Sequence, residues 1–195
     1  EDRRIAKTRR ALRQALLDLI EERGLDRVTV KELCERADLN RGTFYLHYRD
    51  VNDLLKQYTS EVLGGLRTVV AKIDARDMRA YEAKDEPYPG FVGVLEYIRE
   101  HALFFRLMLG PKGDPAFSNK LYDLLKDRIA GRLRELGIRP PAAVSWEYLA
   151  AFLSRAHVGI IQHWVDTGMV ESPRDLAKFV THIYTKGVVG VMGLS

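Results

Sequence analysis

The sequence predicts an all-α chain: a small N-terminal domain of three helices, then a larger helical bundle, with about eight or nine helices in total. Three observations predict it. Apolar residues recur at helical spacing from end to end, strand-like alternation never lasts beyond a few residues, and short helical stretches are punctuated by good capping residues.

In the first helix, Leu12, Ala15, Leu16, Leu19 and Ile20 form one apolar stripe, and Gly24 ends it as a left-handed C′ glycine would. Thr29 and Glu32 form the capping-box pattern at the start of a short helix whose Leu33 and Ala37 face inward. Ala37-Asp38-Leu39 reads as a tight turn. Asn40 caps a helix through about His47, and Asp50 caps a longer one from Val51. Residues 74–90 are polar and end in Pro87, Pro89 and Gly90, as a loop or frayed helix would. Further helices are expected at 91–109, 116–136, 144–165 and 174–191. Gly110-Pro111, Gly137 and Pro140-Pro141 mark stops among them.

Composition narrows the class. The chain has 195 residues, 46% of them hydrophobic and 30% charged, enough for a core and unlike a disordered chain. No apolar run approaches the roughly 20 residues of a membrane span, and no signal peptide is recognisable. A single cysteine, Cys34, rules out an intramolecular disulfide and fits a reducing cytoplasm. It sits where a small apolar residue would pack. The net charge is only +4, but six basic residues (Arg3, Arg4, Lys7, Arg9, Arg10, Arg13) precede the first following acid, Asp18. Such a run suits a polyanion, or equally a solvated basic arm.

Two short helices joined by a tight turn make a helix-turn-helix unit, here 29–48. The second helix of such a unit enters the major groove with its N-terminal residues leading. Phe44 and Tyr48, four apart, can pack inward with Leu33 and Leu39. Arg41, Thr43, Tyr45, Leu46 and His47 are left for other faces, and Gly42 permits close approach to DNA. Arg41 can read a guanine through O6 and N7, while Asn40 serves as the cap.

The segment TVKELCERADLNRGTFYLHYRDVNDLL (29–55) resembles the TetR family of bacterial transcription regulators, with the likeness reaching back to Lys7. Its most specific part is Thr43-Phe44-Tyr45-Leu46-His47-Tyr48. The resemblance implies a homodimer on palindromic double-stranded DNA, usually a repressor released by a small-molecule effector. It also implies DNA contacts at Thr29, Lys31, Arg41, Gly42, Thr43, Tyr45, Leu46 and His47. Two positions depart from the family pattern. Asp38 stands where the turn usually has Gly, and Asp tolerates the left-handed region. Val51 stands where Lys usually opens the next helix; Arg49 can substitute, and the helix N-terminus itself attracts phosphate. The segment 104–125 resembles the C-terminal region of one subset of these regulators. The domains are therefore expected at 1–56, for DNA binding, and 57–195, for effector sensing and dimerisation.

Within the second domain, Val94, Tyr97, His101, Phe104 and Met108 form a second apolar face beside the stripe Phe91, Leu95, Ile98, Ala102, Phe105 and Leu109. Such a face borders either a ligand cavity or a second packed helix. On a later helix, His157 and Trp164 share an apolar face. Together Tyr97, His101, Phe104, Met108, His157 and Trp164 are the candidate ligand residues, with core packing as the alternative. Opposite them Tyr148, Phe152, Arg155, Gly159 and Gln162 suit solvent or a subunit seam. The stripe of Leu176, Phe179, Val180, Ile183, Gly187, Val188 and Val191 suits internal packing or a twin subunit, and the resemblance places the dimer on these last two helices.

Nothing suggests catalysis. The nucleophile-elbow, zincin, phosphate-loop and dinucleotide signatures are absent, and His157 and His163, six apart, are poorly spaced as metal ligands. No catalytic residue, cofactor or metal is expected. The competing reading is a helical ligand-binding or adaptor protein with little DNA affinity, for which Val51 is the best argument.

Overall fold

Leu12, Leu16 and Ile20 are wholly buried along one face of the first helix, α1 (Arg3–Arg23), as its periodicity requires. The computed structural model describes residues 3–135, 137 and 145–193. Among these are ten α-helices and two single 3₁₀ turns, with no strand. After α1 come α2 (Val30–Arg36), α3 (Arg41–Tyr45), α4 (Val51–Ala71), α5 (Met78–Glu82) and α6 (Pro89–Glu100). Then follow α7 (Ala102–Leu109), α8 (Phe117–Glu135), α9 (Trp146–Asp166) and α10 (Pro173–Val191). The expected helix limits at Leu136 and Val144 lie outside the described residues. No described helix is long and apolar enough to cross a membrane.

The chain forms two compact units, but not with the expected division after residue 56. The first comprises Glu1–Gly64 together with Leu103–Asn119; the second comprises Gly65–Ala102 and Lys120–Ser195. The cause is a returning segment. Phe104, Phe105 and Phe117 are fully buried in the first unit, with their rings 5.4–5.9 Å apart and Tyr58 of α4 at 4.8 Å from Phe104. Polar contacts fasten the same segment to the end of α1. Lys112 Nζ donates to the Glu21 carbonyl at 2.7 Å, and Leu25 N–H donates to the Lys112 carbonyl at 3.0 Å. Arg106 pairs with Glu21. Within this unit α1 packs on α2, and α2 on α3.

Residues 91–109 are accordingly two helices rather than one. His101 leaves the helical region (φ −108°, ψ 27°), its N–H shared between the Tyr97 and Ile98 carbonyls, and α7 starts afresh. An apolar arc that runs on through both pieces, Phe91, Leu95 and Ile98 into Phe105 and Leu109, hid this break.

In the second unit α10 packs on α6 and α5. Residues 74–90, expected as a loop or the end of a frayed helix, contain a 3₁₀ turn and α5, and Tyr88 packs its ring 5.6 Å from that of Tyr81 in α5. The Tyr88 N–H donates to Thr181 Oγ1 at 2.9 Å, and its hydroxyl accepts from Asp74 N–H at 2.8 Å. Buried Ser154 and Thr181 return their hydroxyls to the Ala150 and Ala177 carbonyls one turn back. Ser172 caps α10 and Pro173 opens it. The stripe expected through Val191 is interrupted at Gly187, whose φ of 71° kinks the helix and leaves Val188 and Val189 exposed.

Because Phe117 fills the first unit from a distant part of the chain, Phe117→Ala should cost about 3–5 kcal/mol in urea unfolding. Amide exchange should then accelerate in Leu12–Ile20 as well as in α7. Acceleration confined to α8 would contradict the packing.

Candidate nucleic-acid interface and internal cavity

Helices of seven and five residues hold together here through their caps. At α2, Glu32 N–H donates to Thr29 Oγ1 at 3.3 Å. Thr29 N–H and Oγ1–H donate in return to Glu32 Oε2 at 3.1 and 2.8 Å, completing the expected capping box. These bonds, with Arg23 alongside, hold the Glu32 carboxyl below its ordinary value. At α3, Asn40 Oδ1 accepts from Thr43 N–H at 2.8 Å and from Thr43 Oγ1 at 3.2 Å. Asp38 occupies the turn with φ 53°, the left-handed conformation expected of it. At α4, Asp50 Oδ1 accepts from Asp53 N–H at 2.8 Å.

The caps aim the second helix outward. Phe44 and Tyr48 are buried beside Leu33 and Cys34, while Arg41, Gly42, Tyr45 and Leu46 are exposed, Leu46 at 81%. Burial raises the Cys34 thiol pKa, so it behaves as a small core residue. Lys31 is exposed with only a 3.9 Å contact to Glu35, and His47 is half-buried beside Tyr48. Arg49 has an 84% exposed side chain and a loose 3.8 Å approach to Asp53, next to half-buried Val51. Thr29 and Thr43 have hydroxyls already engaged in caps, so they position the helices as well as standing on the candidate face.

The basic N-terminal run is helical from Arg3 onward. Its members are not equivalent. Arg3, Arg4, Lys7 and Arg10 are exposed, whereas Arg13 turns inward. The Arg13 guanidinium donates to Glu61 at 2.8 Å and lies 5.0 Å from the Tyr58 ring centre. Helical spacing alone does not reveal that Glu61 of α4 is its partner.

The second unit contains a cavity of about 130 Å³ whose walls are carbon almost throughout. Val70 and Ile73 line it. Phe91 and Val94 of α6, Leu125, Ile129 and Leu133 of α8, and Leu153 and Ile161 of α9 form the sides. His157 and Tyr184 supply the polar groups within. His157 Nδ1 lies 2.6 Å from the Leu153 carbonyl, and Nε2 lies 3.5 Å from the Tyr184 hydroxyl. A carbonyl only accepts, so Nδ1 carries the proton. Burial lowers the His157 pKa and raises that of Tyr184, keeping both neutral. Two arginines also line the cavity. Arg128 donates to the Ala71 and Ile73 carbonyls at 2.9 and 3.2 Å, and Arg132 pairs with Asp74 and Glu135 at 2.7 and 2.6 Å.

Of the six residues expected around a ligand, only His157 lines this cavity. Tyr97 borders a shallow surface hollow with Lys72 and Glu96, its ring 4.6 Å from that of His101 at the helix break. Phe104 and Met108 belong to the core of the first unit. Trp164 is buried, donating from Nε1 to the Glu171 carbonyl at 2.9 Å, and edges a groove between α9 and α10. The expected grouping depended on one continuous helix, and the break at His101 disperses it. Val94, on the face expected to border a cavity or a second helix, does line this one, whereas Phe91 reads as an ordinary core position and Tyr184 lies off the apolar stripe of its helix. Among the described residues, no group of three or more His, Cys, Asp or Glu is placed to hold a metal.

One unit thus carries a capped helix-turn-helix, and the other is an all-helical bundle with an internal cavity. The chain belongs to the TetR family: residues 12–58 match "Bacterial regulatory proteins, tetR family" and residues 85–192 match "Transcriptional regulator C-terminal region". It is 22% identical over 177 residues to the HTH-type transcriptional regulator YxbF of Bacillus subtilis (strain 168), covering 90% of this chain but only 44% of that protein. The chain thus spans less than half the length of this curated relative. A TetR transcriptional regulator from Streptococcus agalactiae is similar in fold, with TM-score 0.63, 23% identity, and coverage of 93% of this chain and 96% of that one. So is the transcriptional regulator FadR of Bacillus subtilis in complex with stearoyl-CoA, with TM-score 0.60, 16% identity, and coverage of 91% and 98%.

The neutral, half-buried His157 has a consequence for stability. Its folded pKa lies below the usual 6.5, so as pH falls the unfolded chain protonates first. The stabilisation is complete above about 6.5 and is lost as pH drops below it. Urea midpoints measured from pH 7.5 to 5.5 should therefore fall, and fall less steeply in His157→Gln. Equal slopes would mean the ring is not desolvated.

Proposed function

We propose that the chain is a cytoplasmic, homodimeric, sequence-specific repressor that binds a palindromic operator and releases it on binding a small-molecule effector in its second unit. The observation that carries the DNA-binding part is the outward face of α3. Arg41, Tyr45 and Leu46 stand exposed on a helix fixed by Asn40 and by buried Phe44. Gly42, Thr43 and His47 share that helix and its C-terminal turn, Thr29 and Lys31 open α2, and Arg49 precedes α4. Arg49 offers a mobile charge where Val51 has none.

On this reading Arg41 reads a base, while Lys7 and Arg10 meet phosphates. Arg41→Ala should weaken binding by about 1–3 kcal/mol and relax preference at one base pair per half-site, as read by selection from a random duplex pool. Changing Lys7 and Arg10 to Gln should instead lower affinity for every sequence and flatten the salt dependence. Salt-independent binding by the intact protein would favour the adaptor reading.

Exposed apolar residues support the dimer. Tyr148 and Phe152 of α9 are 73% and 63% exposed, and Phe179 of α10 is 45% exposed. Between these helices runs a groove lined by Gly159, Ile160 and Phe179. Apolar surface of this kind on a folded chain marks an association site. A two-fold pair would set two α3 helices about 34–36 Å apart, one turn of DNA. Phe152→Glu and Phe179→Glu should each give folded monomers by sedimentation and circular dichroism. A dimer that survives both places the seam on another surface. The second unit as the effector-binding region is supported by its cavity and by the stearoyl-CoA held by the B. subtilis neighbour.

A further inference from the structure

The cavity's own chemistry restricts what it can hold, an inference that rests on the effector reading above. Its volume, about 130 Å³, is near the roughly 150 Å³ of an apolar protein cavity that accepts benzene. A long acyl chain is far larger. Phe91 lies 5.3 Å from Tyr184 and 6.3 Å from His157, ring centre to ring centre, so one wall is aromatic.

The polar end is more specific. With Nδ1–H committed to Leu153, neutral His157 presents a bare lone pair at Nε2. The facing group is the Tyr184 hydroxyl, and 3.5 Å is too long for a strong O–H···N bond. A half-buried acceptor and a half-buried donor thus face each other with poor mutual satisfaction. A hydroxyl group both donates and accepts at one atom and satisfies both. A carboxylate would set negative charge against the Nε2 lone pair, and the terminal nitrogens of Arg132 already pair with two carboxylates, Asp74 and Glu135. An ammonium finds Asp74 and Glu135 held by arginines.

We propose that this cavity binds a small, uncharged, single-ring molecule bearing a hydroxyl group, which donates to His157 Nε2 and accepts from Tyr184. Its apolar ring lies against Phe91, Val94 and Ile129.

The test uses the intact chain, with phenol, toluene and benzoate as probes in calorimetric titration at neutral pH. Phenol should bind saturably, roughly ten-fold tighter than toluene, since it gains two buried hydrogen bonds, and benzoate should not compete. Tyr184→Phe, a conservative change, should reduce the preference for phenol over toluene, since only the bond to His157 remains, while leaving toluene affinity unchanged. Equal affinity for phenol and toluene in the unaltered protein, competition by benzoate, or an undiminished preference in Tyr184→Phe would overturn the proposal. Measuring DNA affinity in parallel, on duplexes the protein selects from a random pool, separates the two readings. Phenol that binds with the Tyr184 signature but leaves DNA affinity unchanged upholds the ligand class and defeats the effector role. DNA released by another compound, with no saturable phenol binding, upholds the effector role and defeats the ligand class.

Discussion

Helices of seven and five residues are too short to persist alone, because nucleation costs more than their few hydrogen bonds return. Everything that α3 offers to a partner therefore depends on the two caps and on the burial of Phe44. Thr29 with Glu32 fixes the start of α2, Asn40 fixes the start of α3, and Asp38 turns the chain between them at φ 53°. With Phe44 and Tyr48 drawn inside, Arg41, Tyr45 and Leu46 have nowhere to go but outward. The exposed face is a by-product of the buried one.

Charge in the first unit is sorted by the same packing. Arg13, Arg23, Arg36 and Arg106 are held by Glu61, Glu32, Glu22 and Glu21, carboxylates of α1, α2 and α4. These pairs brace helices and contribute little individually, as exposed ion pairs do. The exposed Lys7, Arg10, Lys31, Arg41 and Arg49 are what give the surface its positive character. A sequence count merges the two groups, whereas only the second is available to a polyanion.

The local parts of the structure were legible in the sequence for a physical reason. Capping boxes, Asx caps and left-handed turns are written within three or four residues, and all of those at 29–53 form as expected. Long-range pairing was not legible. The return of Phe104, Phe105 and Phe117 to the first unit, and the convergence of Phe91, His157 and Tyr184 from three helices, leave no trace in any one helical wheel. Tyr97, His101, Phe104 and Met108 share a face only if residues 91–109 are one helix. A single non-helical residue, His101, undoes that.

Helix α9 is where sensing and association would meet. One side of it buries Ala150, Val158 and Ile161 and presents His157 to the cavity, while the other exposes Tyr148 and Phe152. A rigid helix cannot shift on its cavity side without moving its outer side, since packed interiors transmit displacement rather than absorb it. In the proposed dimer, a molecule wedged between Phe91 and His157 would thus act directly on the seam carrying Phe152. It can favour one dimer geometry only by binding it better than the other, and DNA must in turn weaken that binding by the same factor. The small volume of the cavity then works in its favour: a ligand that fills it closely discriminates between two positions of α9 that a roomier pocket would accommodate equally.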